Sequence, residues 1–177
     1  IEDPLRTEAK SVIRKLHKEG FTNIVMMTGD SYRTAEAIAK CVGVDHFYAE
    51  VLPEDKADFV QQEKAKGHKV VMIGDGINDS PALSAADVGI AISDGAEIAR
   101  EIADITVSAD DLNEIVILKM LSEALMKRIH KNYRQIVTFN AGLIALGVAG
   151  VIQPTTSALL HNTSTLLIGM DSMKNLL

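Results

Sequence analysis

The residues best equipped for chemistry lie in two short acidic loops and one helix turn. Thr28-Gly29-Asp30 follows an apolar run, Ile24–Met27, and Gly74-Asp75-Gly76-Ile77-Asn78-Asp79 follows another, Val70–Ile73. Glycines let the backbone turn tightly and present N–H groups to an anion. Asp75 and Asp79 stand four apart with Asn78 between them. Hard oxygen ligands of this kind suit Mg2+, which keeps part of its water shell and shares the rest with a phosphate. The Thr28 hydroxyl and neighbouring N–H groups are suitable donors to phosphate oxygens. Lys56, in Pro53-Glu54-Asp55-Lys56, offers a cation to offset charge on a transferred phosphoryl group. Taken singly, each signal is weak. Thr-Gly-Asp is ordinarily a turn, a helix lysine is ordinarily solvated, and Gly74–Asp79 also reads as a Ca2+ loop or a plain strand-to-helix turn. Their order and their placement at strand ends make the joint signal.

The elements that must position these loops follow from pattern. Val- and Ile-rich runs at Ile24–Met27, Val70–Ile73, Val88–Ile92 and Ile105–Val107 predict short buried strands. Thr7–Glu19, Tyr32–Cys41, Glu54–Lys66 and Pro81–Ala86 predict helices between them, with Pro53 in the first turn of the third and Gly20, Gly43 and Gly67 at helix ends. Such alternation implies a parallel sheet covered by helices, with its chemistry at the carboxyl ends of the strands. From Asp110 to Arg134 a long helical pattern follows.

The 177 residues are 47% hydrophobic and 24% charged, a globular average. Eighteen Lys and Arg against 24 Asp and Glu give a net charge of −6, which argues against nucleic acid as a partner. A single cysteine, Cys41, excludes an internal disulfide framework and reads as a small core residue. His17, His46, His68 and His130 have no spacing that suggests a site and read as surface residues. The first residues, Ile1-Glu2-Asp3-Pro4, are acidic and form no apolar signal segment.

The charge is unevenly spread. No Asp, Glu, Lys or Arg occurs in the 36 residues from Gln135 to Met170, and Gln153-Pro154 divides that stretch. Its two pieces, Gln135–Ile152 and Thr155–Met170, are about 27 and 24 Å long as helices, against a hydrocarbon core of about 30 Å. They predict a transmembrane helical hairpin completed by a few flanking residues; the rival reading is a helical hairpin buried in a soluble core. Ala141, Ala145 and Ala149 recur at the spacing that lets membrane helices approach. Lys127, Arg128, Lys131 and Arg134 precede the first piece and place that end in the cytoplasm. Asn140 lies in the first piece, and His161, Ser164 and Thr165 lie in a polar patch of the second. An imidazole with amide and hydroxyl oxygens suits a transition-metal ion in transit. The plainer alternative is that the hydroxyls bond back to carbonyls and the asparagine links helices.

At this point the sequence resembles the haloacid-dehalogenase-type phosphorylation domain of a P-type ATPase. Met27-Thr28-Gly29-Asp30 and Ile73-Gly74-Asp75-Gly76-Ile77-Asn78-Asp79-Ser80-Pro81-Ala82-Leu83 carry the resemblance, and Asp3-Pro4-Leu5-Arg6 resembles the segment entering that domain from its nucleotide-binding insertion. Ile77, and the lack of Thr at position 73, fit the heavy-metal-transporting branch. The resemblance implies Mg2+ coordination by Asp75, with Asn78 and Asp79 completing the site beside Gly74 and Gly76. It implies that Thr28 contacts the phosphoryl group, that Asp30 organises the phosphorylation site with Gly29 between them, and that Lys56 stabilises an aspartyl phosphate. Asp3 and Arg6 would sit near ATP. The family's nucleophile motif, Asp-Lys-Thr-Gly-Thr, does not occur here, nor do the actuator loop, the nucleotide-binding domain or a Cys-Pro membrane helix. The polar patch of the last helix matches neither the copper nor the zinc pattern of these pumps and is loosely similar to the cobalt type, which favours a divalent transition metal over copper(I).

The expectation is therefore an incomplete Rossmann-like α/β domain over 1–118, a linker helix with a juxtamembrane basic cluster over 119–134, and two transmembrane helices over 135–177. Its function would be that of the C-terminal part of an ATP-driven transition-metal pump in the cell membrane, with the soluble part cytoplasmic. It would be active only with the remainder of the pump and hydrolyse no ATP alone. The alternatives are a haloacid-dehalogenase-type phosphohydrolase and a non-catalytic membrane-anchored fragment that docks on a full pump.

Overall fold

Pro53 and the glycines at helix ends partition the first two-thirds of the chain much as their chemistry predicts. The computed structural model describes residues 7–74, 77–92, 102–108 and 111–176. Helix α1 (Ala9–Lys18) leads to strand β1 (Val25–Met27), helix α2 (Tyr32–Val42), strand β2 (His46–Tyr48) and helix α3 (Pro53–Ala65). Strand β3 (Val71–Gly74), a 3-10 turn (Ile77–Asp79), helix α4 (Ser80–Ala85), and strands β4 (Val88–Ile92) and β5 (Ile105–Val107) follow. Two helices close the chain, α5 (Asn113–Val148) and α6 (Pro154–Ser172). The chain forms two compact units, Ile1–Ile117 and Leu118–Leu177.

Helix α3 shows how local chemistry sets an element. Pro53 occupies its first turn, where a missing N–H costs nothing. The Leu52 N–H donates to the Asp55 carboxylate at 3.1 Å, closing the N-terminus. At the other end Gly67 takes φ +88°, a left-handed conformation that strains any residue with a Cβ. Gly20 and Gly43 do the same after α1 and α2.

All strand pairs among the described residues are parallel. β1 pairs with β2, Val25 opposite His46, while β3, β4 and β5 form a second piece with Val71 opposite Val88 and Ile90 opposite Ile105. No ladder joins β1 to β3 among the described residues. The expected single parallel sheet is thus two parallel pieces, and both rest on one apolar cluster. Val60 of α3, Met72 of β3, and Ala82 and Leu83 of α4 are buried together, with Met27 of β1 packed against them. Burying such side chains is worth about 1.5–3 kcal/mol each for the larger ones, so the two pieces share their main source of stability.

One strand goes unanticipated, and two expectations do not match the structure. Strand β2 was not legible: Asp45-His46-Phe47-Tyr48 has no Val or Ile, and its outer residues are exposed. Cys41 is exposed near the end of α2 rather than buried in the core. The two transmembrane helices are not found, because no helix among the described residues is long and apolar enough to cross a membrane. The reason is local. Helix α5 ends at Val148, before Val151 and Ile152, so its uncharged part from Gln135 is only about 21 Å long. Helix α6 spends five consecutive positions, His161–Thr165, on polar side chains. The rival reading, a hairpin enclosed in a soluble core, fares no better: α6 has no buried residue, and Ile144, Leu146, Leu166 and Leu167 are exposed.

Candidate phosphoryl-transfer site

The carboxyl ends of β1 and β3 carry the two acidic loops, as the pattern predicts. In the first, the Thr28 hydroxyl donates to the Asp30 carboxylate at 2.9 Å and accepts from the Asp30 N–H at 3.1 Å. The single hydroxyl proton of Thr28 is therefore committed to Asp30, and the Asp30 N–H to the Thr28 oxygen. The loop is pinned from outside by the chain after β2. Thr28 N–H donates to the Tyr48 carbonyl at 3.0 Å, Val51 N–H to the Thr28 carbonyl at 3.0 Å, and Glu50 N–H to the Asp30 carbonyl at 2.9 Å. Glu50 adopts φ +55°, uncommon for a residue with a Cβ. Sequence reasoning missed this clamp, since nothing in Ala49-Glu50-Val51 marks a left-handed turn.

Helix α3 starts directly after that clamp, which brings Lys56 in its first turn to the second loop. Lys56 Nζ lies 2.8 Å from Asp79 Oδ1, with side chains 15% and 11% exposed. A charge-assisted bond of this length, largely shielded from water, is costly to break from one side, because the remaining charge is left unpaired and poorly solvated. Asp79 is the buried charged residue among those described, at 8% exposure. Gly74 makes room for it: a Cβ at position 74 would lie 2.6 Å from Asp79 Cβ and 2.7 Å from Oδ2. Next to it, the Ser80 hydroxyl is buried with no hydrogen-bond partner, a polar atom left over in the same turn. Asn78 is exposed.

Structure thus brings together Thr28 with Asp30 within the loop after β1, and Lys56 of α3 with Asp79 of the turn after β3. Asp75 and Gly76, and likewise Asp3 and Arg6, lie outside the described residues. No group of three or more His, Cys, Asp or Glu that could hold a metal occurs among the described residues. The donor set nevertheless suits Mg2+ by its chemistry: Asp79 is a hard carboxylate held by a cation, beside an orphaned hydroxyl.

The scaffold below the site is held by further carboxylates. Asp87 accepts from Val70 N–H at 3.0 Å and from Lys69 at 3.1 Å, tying the start of β3 to β4. The Val70 N–H first, then Lys69, holds its carboxyl below the usual range. Glu63 is lowered by Lys66 and then by His68, whose Nδ1 is 2.7 Å away.

In the second unit, Asn140 Oδ1 and His161 Nδ1 lie 2.8 Å apart, linking α5 and α6. Ser164 and Thr165 hydroxyls both donate back to the His161 carbonyl, at 2.8 and 3.0 Å. The four residues named from sequence for an ion path therefore form one connected group, with its hydroxyl protons used within the helix.

Comparison with known proteins agrees with this geometry. Residues 1–87 match a family model described as haloacid dehalogenase-like hydrolase, and residues 57–121 match a second of the same description. The chain is 39% identical over 98% of its length to a manganese-exporting P-type ATPase of Mycobacterium leprae, covering 24% of that protein. It is 43% identical over 90% of its length to copper-transporting ATPase 2 of Rhizobium meliloti, covering 19% of it. Among solved structures, a zinc-transporting PIB-type ATPase in the E2P state superposes with a TM-score of 0.84 at 32% identity, covering 94% of this chain and 27% of that one. The chain spans about a quarter of the length of the manganese exporter it matches.

Proposed function

We propose that this chain, homologous to a segment of heavy-metal P-type ATPases and built on a haloacid dehalogenase-like α/β domain, works as the C-terminal part of an ATP-driven transition-metal pump. The observation that carries the reading is the shielded Lys56–Asp79 pair, held at 2.8 Å where α3 meets the turn after β3. An upstream segment of the pump, bearing a phosphorylatable aspartate on a parallel strand, would fit between β1 and β3, since no ladder joins them among the described residues and both pack on one apolar cluster.

In this arrangement the aspartate of the partner segment attacks the γ-phosphorus of ATP in line, and ADP leaves with the electron pair of the broken P–O bond. Asp75, Asn78 and Asp79 would hold Mg2+, which offsets negative charge on the transferring group. Lys56 positions Asp79 and adds its own positive charge near the acyl phosphate. The Gly29 N–H orients the phosphoryl oxygens, and Asp30 fixes the Thr28 side chain. Asp3 and Arg6 approach the nucleotide. Gly74 leaves room for the Asp79 side chain.

Helices α5 and α6 pack against the remaining segments of the pump, which cover their exposed Ile144, Leu146, Leu166 and Leu167. Asn140, His161, Ser164 and Thr165 lie on the ion path, His161 through its imidazole and the others through oxygen lone pairs. A divalent transition-metal ion is the cargo that this donor set favours. The pump lies in the cell membrane with the α/β domain in the cytoplasm.

Co-expression with an upstream segment carrying Asp-Lys-Thr-Gly-Thr tests the proposal. Radiolabelled ATP should give an acid-stable phosphoenzyme with the pair and none with this chain alone, and Asp75→Asn should abolish it. Turnover of a generic phosphate ester by the isolated chain, or full labelling in the Asp75→Asn variant, overturns it.

A further inference from the structure

The open end of the α5/α6 hairpin carries polar contacts that the pump chemistry leaves unused. Helices α1, α2 and α3 are each followed by a glycine in the left-handed region, and Gly150 does the same for α5. Helix α6 has no such stop: Met173 follows it with φ −83°, and no described residue after it has a positive φ. The final amides reach back only three residues, Met173 N–H to the Met170 carbonyl at 3.2 Å and Lys174 N–H to the Asp171 carbonyl at 3.4 Å. The carbonyls beyond these must find donors elsewhere.

Arg128, half-buried on α5, supplies them. Its Nη1 donates to the carbonyls of Ser172, at 3.1 Å, and of Lys174, and its Nη2 donates to that of Asn175 at 2.6 Å. One turn along α5, Asn132 Nδ2 donates to Ser172 Oγ at 2.6 Å, and that hydroxyl donates in turn to the Ile168 carbonyl at 2.8 Å. Beside them Lys131 meets Asp171 at 3.2 Å, which Lys174 also holds at 2.6 Å. A carboxylate in the last turn opposes the negative end of the helix dipole, and these two cations offset it. Apolar packing adds little on the other side, because α6 has no buried residue.

We propose that Arg128 is the clasp of the hairpin: from α5 it supplies the C-terminal cap that α6 lacks, and so holds the open end shut. Two features favour a cap over a bare counter-charge. Three backbone carbonyls converge on one planar guanidinium, a geometry that a compact ammonium on a flexible stem does not reproduce. The carboxylate of the same turn, Asp171, is held by two lysines instead, so balancing it is not the task of Arg128. The basic cluster that reads from sequence as a membrane-side signal is thus partly spent inside the hairpin, Arg128 on backbone and Lys131 on Asp171. The clasp lies wholly within the second unit and stands whether or not the pump reading holds.

Amide hydrogen exchange of the full chain, followed by NMR, tests the clasp at Met173 and Lys174, whose N–H groups close the last turn. In the unsubstituted chain both should exchange about tenfold more slowly than an open chain, or slower still. Arg128→Ala should speed both by about tenfold or more, since a hydrogen bond to a charged group is worth at least that factor. The amides of β4 and the helical content by circular dichroism should stay as they are. Arg128→Lys should speed exchange nearly as much, because the charge remains while the fork is lost. Lys131→Gln should change the rates by no more than about threefold, since Lys174 still holds Asp171. Open-chain rates in the unsubstituted protein, or rates in Arg128→Ala indistinguishable from it, overturn the proposal. So does full protection in Arg128→Lys, which would show that a positive charge suffices without the cap.

Discussion

Lys56 and Asp79 meet at 2.8 Å across twenty-three residues of sequence, and their contact joins the start of α3 to the turn that follows β3. Both side chains are almost buried, so each depends on the other to justify its loss of water. The pair therefore couples the stability of the domain to the geometry of its acidic loops.

Removing one partner exposes that dependence. Lys56→Met should destabilise the domain by about 3 kcal/mol, because Asp79 is left as an uncompensated buried carboxylate. Lys56→Met/Asp79→Leu should recover most of that loss. Urea unfolding of the full chain, followed by circular dichroism, measures both; equal loss in the single and double variants would mean that the pair is not the cause.

Gly74→Ala should be costly despite the small change. Its Cβ would meet Asp79 Cβ at 2.6 Å, which nothing flexible at its far end can relieve. We expect a loss of about 1–3 kcal/mol, together with displacement of Asp79 from Lys56. Gly29→Ala is the control, since the nearest atom to its Cβ would be 3.8 Å away. A Gly74→Ala protein as stable as Gly29→Ala would refute the close approach.

The Thr28 hydroxyl is both donor and acceptor to Asp30. Thr28→Val removes both bonds and should cost about 1 kcal/mol, while Thr28→Ser keeps them. In the reconstituted pump the serine variant should form phosphoenzyme and the valine variant should form it far more slowly. Equal rates would show that loop geometry does not depend on this hydroxyl.

Acid should loosen the scaffold under the site. Asp87, lowered by the Val70 N–H and Lys69, and Glu63, lowered by Lys66 and His68, are held below their usual range in the folded chain. A carboxyl depressed on folding contributes stability above its unfolded pKa, near 4 for such groups, and loses it as pH falls through the folded value. The urea midpoint should therefore fall between about pH 5 and pH 3. Asp87→Asn should flatten that fall, and an unchanged pH slope would remove Asp87 from the explanation.

Much of this could be read from residue order. The Val/Ile runs, Pro53 and the helix-end glycines located most elements, because burial and backbone restriction act over a few neighbouring residues. The acidic loops were visible as motifs for the same reason. Strand β2 was not, since His46-Phe47-Tyr48 holds its place by pairing with Val25–Met27 rather than by its own hydrophobicity. Glu50 gave no warning of its left-handed backbone, which the bonds to Asp30 and Thr28 impose from outside.

By itself, then, the sequence determined where the two acidic loops lie, the alternation of strands and helices, and the uncharged character of the last helices. Only the tertiary structure decided that Lys56 is spent on Asp79, that the Thr28 proton is spent on Asp30, that the parallel strands split into two pieces over a common core, and that neither closing helix is long and apolar enough to cross a membrane. The division has a physical origin. Local propensity and composition are sums over neighbours in the chain, whereas hydrogen-bond partners, burial and the points where helices end are settled by groups that meet only after folding.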